Sequence, residues 1–143
     1  MTAETQRQDD NLAVELHDVF HVLQVTRDTD LEADVGVDLV EMEPGKTSQV
    51  HRHNFSETVL YFLDGDAIVE CADTDHPVTA GDRLRIAKGE FHGVRTETSS
   101  CRFVSVQTPP ILNKTTGFRD LVLRDAPEAS ADLPFQARGL GGH

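Results

Sequence analysis

From Val35 onward the apolar and polar positions alternate, the spacing of a strand with two unlike faces. In 35–43, Val35, Val37 and Leu39 share one parity before Pro44-Gly45 breaks the run. Further runs of strand character occupy 48–53, 57–63, 66–71, 76–79, 83–87, 92–97 and 101–107. Between them lie Asp64-Gly65, Asp73-Thr74-Asp75, Ala80-Gly81-Asp82, Lys88-Gly89-Glu90 and Thr98-Ser99-Ser100, all turn chemistry. Short strands at near-regular spacing predict an all-β chain closed into an antiparallel sandwich or barrel. Pro109-Pro110 stops the last run, and an edge strand is expected near 121–123. The segment 12–25 is mixed. Val14, Leu16, Val19, Val22 and Leu23 would make a helical stripe, whereas the alternation through Phe20, Val22 and Gln24 suits a strand, and a strand is expected. Residues 28–34 form an acidic turn with no expected part in the core. The expected organisation is a disordered lead-in over 1–11, one domain over 12–126 and a flexible tail over 127–143.

Composition narrows the classes of function. The 25 Asp and Glu outweigh 13 Lys and Arg, for a net charge of −12. So acidic a surface repels nucleic acid and anionic lipid, which need dense cationic patches. No apolar run approaches the roughly 20 residues that span a bilayer, and the N-terminus is polar. The expectation is a soluble cytoplasmic protein acting on a small molecule, with neither nucleic acid nor membrane as partner. Cys71 and Cys101 each sit in an apolar run and read as buried thiols, not a disulfide framework.

Histidine spacing supplies the chemistry. His51 and His53 are two apart, so a strand points both to one face, roughly 6–7 Å apart at Cα. Two such imidazoles can grip one metal ion. Glu57, four residues on, could return a carboxylate, and His92 lies behind the Gly81-Asp82 turn as a third imidazole. Three nitrogens and one oxygen suit a divalent transition metal: Fe, Mn, Ni, Co, Cu or Zn.

These two segments resemble the paired motifs of the cupin superfamily. The first motif runs Gly, five residues, His-x-His, three or four residues, Glu, six residues, Gly; here Gly45, His51, His53, Glu57 and Gly65 stand in it. The second runs Gly, five residues, Pro-x-Gly, two residues, His, three residues, Asn; here Gly81, Ala87, Gly89 and His92 match, Ala87 replacing Pro and Thr96 replacing Asn. Seven residues separate Glu57 from Gly65 where the pattern has six, and a bulge near Ser56 would be needed to restore its aim. The likeness covers about 35–110 and implies a double-stranded β-helix, or jelly-roll barrel. It further implies one metal per chain on His51, His53, His92 and Glu57, or on three His with more water if Glu57 is misaimed. A homodimer through the N-terminal strands is implied as well, with 12–25 placed to form it.

If Glu57 faces the interior, parity sends Val59, Tyr61 and Leu63 there too. Tyr61, the single tyrosine, is then a candidate proton donor or substrate-orienting group, or a rim residue of the core. Phe55 and Phe91 adjoin candidate ligands and could wall a pocket or fill core. On 101–107 either Phe103, Ser105 and Gln107 or Arg102, Val104 and Val106 could line it. His17 and His21 would pair only on a helix, His76 reads as a solvated turn residue, and His143 is terminal. The reading favours an enzyme with dioxygenase-type chemistry on a small oxygenated metabolite. Alternatives are Lewis-acid isomerase, lyase or cyclase chemistry, or a metal-dependent binding module without turnover.

Overall fold

The structure, a computed structural model, describes residues 12–125 together with Ala3 and Thr5. The expected lead-in, most of it, and the tail with His143 lie outside the described residues. The described chain is all β, in ten strands: β1 (Val14–His17), β2 (Phe20–Gln24), β3 (Gly36–Met42), β4 (His51–Arg52), β5 (Glu57–Cys71), β6 (Thr74–Thr79), β7 (Arg83–Ile86), β8 (His92–Arg95), β9 (Cys101–Thr108) and β10 (Val122–Leu123). All pairings are antiparallel, in the order β1-β2-β3-β9-β5-β8-β4-β10, with β6 and β7 also on β5. The sheet curls on itself into a jelly-roll barrel. No helix among the described residues is long and apolar enough to cross a membrane.

Three local outcomes differ from the sequence pattern. The 12–25 segment is a hairpin and not one strand, because Asp18 takes a left-handed φ of 56° and turns the chain between β1 and β2. The two runs 57–63 and 66–71 are one long strand, β5, bent at Gly65. There φ is 76°, the pairing with β9 slips between Phe62 and Asp64, and a Cβ would collide with the Ser100 carbonyl oxygen. Only glycine fits such a bend. Its first half pairs with β9 and β7, its second with β6 and β8, so β5 joins both halves of the barrel. Lastly, His76 lies half-buried on β6 opposite Val69, not in a turn.

The floor of the barrel is apolar. Phe62, Val69, Met42 and Ile86 are buried, and the Phe62 and Phe103 rings meet at 5.0 Å. Cys71 and Cys101 are free and buried there, and burial pushes the Cys101 thiol up to about 11. Above this floor the barrel opens into a cavity.

Candidate metal centre

The cavity, about 190 Å³, is walled by inward residues of β2, β3, β5 and β9 and by the chain around 110–121. Its lining fixes which parity faces in: Phe20, Val22 and Gln24 on β2; Asp38 and Val40 on β3; Thr58 and Leu60 on β5; Phe103, Ser105 and Gln107 on β9. Of the two options on 101–107, the first lines the cavity.

His51 and His53 enter it from one face of β4 and the residue after it. His92, the first residue of β8, pairs directly with His51. The three rings therefore converge: centroids are 5.0 Å apart for His51–His53, 4.5 Å for His51–His92 and 5.1 Å for His53–His92. One nitrogen from each lies within 4.8 Å of the others, close enough to hold a metal ion. Each Nδ1 faces a backbone carbonyl: Gln49 for His51 at 3.1 Å, Asp120 for His53 at 2.6 Å and Glu90 for His92 at 3.0 Å. A carbonyl only accepts, so each Nδ1 donates and the lone pair resides on Nε2. Burial, with His92 nearby, lowers His53 to about 4; burial, with His51 nearby, lowers His92 to about 3. Both rings are thus neutral at pH 7, as a ligand must be.

Asp120 braces this arrangement from 67 residues away in sequence. Besides its carbonyl on His53, its carboxylate accepts the backbone N–H groups of Asn54 at 2.7 Å and of Phe55 and Ser56 at 2.9 Å. That holds the turn from the histidines into β5.

The structure does not bring Glu57 or Tyr61 to the histidines. Glu57 points outward and its carboxylate accepts a hydrogen bond from Arg85 Nη2 at 2.8 Å. Val59, Tyr61 and Leu63 follow it outward, Tyr61 being 45% exposed. The inward parity belongs instead to Thr58, Leu60 and Phe62, all buried. Thr58 stands four residues after His53 with six before Gly65, which satisfies both spacings of the first cupin motif. Its Oγ1 is buried and lacks a hydrogen-bond partner among the described residues. A hydroxyl thus occupies the position that the motif gives to glutamate.

Other candidates also sit elsewhere. Phe55 is 60% exposed and meets Phe118 edge to face, while Phe91 lies under the Arg52 guanidinium; neither lines the cavity. His17 lines the cavity from β1, but His21 points to Glu43, so the two do not form a pair. Glu32, from the supposedly detached acidic turn, reaches the cavity wall.

The sequence reading missed Asp38 and Arg119, and placed Gln107 only as one of two options for the lining. Gln107 Nε2 donates to Asp38 Oδ2 at 2.9 Å and to Ser105 Oγ at 2.7 Å. Burial pushes the Asp38 carboxyl above the usual range, while the Gln107 bond and His17 oppose that rise. The signal was present in the alternation itself: Gly36, Asp38 and Val40 share a parity opposite to Val35, Val37 and Leu39.

A family model of the cupin domain matches residues 38–107. None of the curated proteins compared with the chain matches it significantly. Among solved structures, a sugar phosphate isomerase of the cupin superfamily from Silicibacter pomeroyi superposes with a TM-score of 0.66 at 17% identity, covering 85% of this chain and 94% of that one. Streptomyces PAC13 with uridine gives 0.67 at 15% identity, covering 86% and 91%. A predicted oxalate decarboxylase from Thermotoga maritima gives 0.64 at 16% identity, covering 75% and 100%. Topology, family model and structural likeness agree: residues 38–107 are a cupin domain, in a chain with the cupin fold.

Proposed function

We propose that the chain is a metal-dependent enzyme that moves protons on a small oxygenated metabolite, in isomerisation or elimination. The observation that carries this is the trio His51, His53 and His92, each held by a carbonyl at Nδ1 and presenting its other nitrogen. Neutral nitrogen donors with fixed tautomers fit one divalent Fe, Mn, Ni, Co, Cu or Zn ion. Bound there, the ion would supply Lewis-acid polarisation of a substrate carbonyl or hydroxyl.

The chain supplies the rest. Asp38 is a half-buried carboxyl in the same cavity, and burial raises its pKa above that of a free aspartate, which strengthens it as a base. Gln107 holds one carboxylate oxygen and leaves the other for substrate. In this role Asp38 would take the proton from the carbon beside a carbonyl and return it to the neighbouring atom in isomerisation, or to the leaving hydroxyl, which departs as water, in elimination. Phe20, Leu60 and Phe103 give the cavity apolar walls that limit water. The likeness to structures described as sugar phosphate isomerases supports this class of chemistry.

The second reading is dioxygenase chemistry, favoured by one fact: without Glu57, three His leave room for a chelating substrate beside oxygen. Oxygen uptake separates the two. In the first reading, metal-loaded protein exchanges substrate C–H for deuterium in D2O across a panel of small keto and hydroxy acids and sugars. Oxygen is not consumed, and Asp38→Asn lowers exchange at least a hundredfold with metal content unchanged. Uptake of oxygen with no exchange would overturn it. Elemental analysis of untagged protein tests the metal: the His51→Ala, His53→Ala double variant loses it, and full retention would refute the site. We further propose a homodimer, through the outer face of the sheet that begins with β1 and β2.

A further inference from the structure

Three cations line the cavity: Arg27, Lys114 and Arg119. Two are already neutralised. Arg27 pairs with Glu15 at 3.3 Å, and Lys114 reaches Asp28 at 3.4 Å and Glu32 at 3.3 Å. Arg119 has no carboxylate partner among the described residues, and its Nε is buried without an acceptor. Glu15 acts on it only from a distance, its oxygens being engaged by Arg27 and Gln24. A buried guanidinium N–H with no acceptor is rare in folded proteins, and its complement is a flat or tetrahedral oxyanion that takes two N–H groups at once.

We propose that Arg119 anchors an anionic group, a carboxylate or a phosphate, on the molecule that enters the cavity. Its place in the chain supports this. The backbone of Arg119 bridges to Leu112, and the next residue, Asp120, holds His53 by its carbonyl. The anchor and His53 are therefore set by one segment, and Arg119 and the three imidazoles open into one cavity. An anion on Arg119 leaves the rest of a small metabolite directed into the barrel, towards Asp38 and the histidines. The overall charge of −12 does not oppose this, because of the carboxylates that line the cavity Glu32 is bonded to Lys114 and Asp38 to Gln107. The inference deepens the metal-enzyme reading by naming the charge of its substrate, and rests on that reading only for the fate of the reacting end.

The test uses the full chain freed of metal by a chelator, so that no ion can bind the probe. Arginine Nε–Hε signals are followed by 1H–15N NMR while inorganic phosphate, or in a parallel series glycolate, is added. One signal, absent from Arg119→Met, should shift saturably at millimolar anion. Arg119→Met should bind at least tenfold more weakly, and Arg119→Lys, which keeps charge but loses the fork, should fall between. Saturation by phosphate alone, by glycolate alone or by both supports the anchor and identifies the group. No saturable shift with either, or wild-type binding by Arg119→Met, overturns it. If Arg119→Met does not fold, Arg119→Lys and the wild-type signal decide. Metal content is measured separately: an anion shift in a chain that takes up no metal would sink the metal reading and leave the anchor standing.

Discussion

An imidazole serves a metal only while it is neutral, and at His53 and His92 the barrel enforces neutrality by burial. His53 is lowered from 6.5 to about 4 and His92 to about 3, each first by desolvation and then by a neighbouring ring. The unfolded chain binds these protons below about pH 6.5 while the folded chain does not, so the unfolded state gains as pH falls. This contribution to stability is complete above pH 6.5 and is lost as pH drops towards 4. Each tenfold loss of proton affinity is worth about 1.4 kcal/mol, so His53 alone carries on the order of 3 kcal/mol. Thermal unfolding of metal-free protein should therefore show a midpoint that falls between pH 6.5 and 4.5. The fall should be steeper for the wild type than for His53→Gln, whose amide does not titrate in this range. Equal slopes would mean that burial does not hold His53 neutral. The Nδ1 bonds to Asp120 and Glu90 keep the two rings aimed, and they oppose the depression without reversing it.

One residue of register in β5 decides which side chain joins the histidines. Because the side-chain period is two, placing Thr58 inward puts Glu57 on Arg85 at the surface. Thr58→Glu should thus add a carboxylate to the three imidazoles and tighten Mn or Zn binding at least tenfold by chelator competition. Glu57→Gln should leave metal affinity unchanged and cost under about 1 kcal/mol, as an exposed ion pair does. Loss of metal in Glu57→Gln would show that the register is wrong. The strands, and the convergence of His51 with His53, were legible from local period and spacing. The parity of β5 was not, because the turn 54–56 is set by Asp120, a contact invisible along the chain. The spacing to Gly65 nonetheless pointed to Thr58. Asp38 was hidden for another reason. It lies in the acidic stretch 28–43, which reads as solvent-facing, and on β3 the regular apolar parity faces out while Asp38 faces in. Arg119 was unreadable because nothing nearby in sequence marks a short bridge outside the main strands as a cavity wall.

At the scale of the whole molecule, that outward apolar parity forms a continuous surface. The strand registers align Val14, Leu23, Leu39, Val104 and Tyr61 in one row across β1, β2, β3, β9 and β5. Val37, Val106 and Val59 form a second row beside it. Val14 is 47% exposed and Tyr61 45%, so the face is open among the described residues. An uncovered apolar sheet of five strands is a docking surface, and an apolar face needs no complementary charge to meet itself across a twofold axis. The second copy is thus the occupant proposed, and such an interface would include Tyr61. Two chains of −12 would repel each other at long range, while buried apolar area would hold the pair together. Raising salt from about 20 mM to 0.5 M screens the repulsion and leaves the apolar term, so the dimer should tighten with salt. Light scattering should give twice 15.8 kDa for the wild type. Val104→Glu should give a monomer that retains β-sheet circular dichroism and bound metal. A dimer that weakens with salt would point to ion pairs elsewhere on the surface. A Val104→Glu chain that stays dimeric would remove this face from the interface.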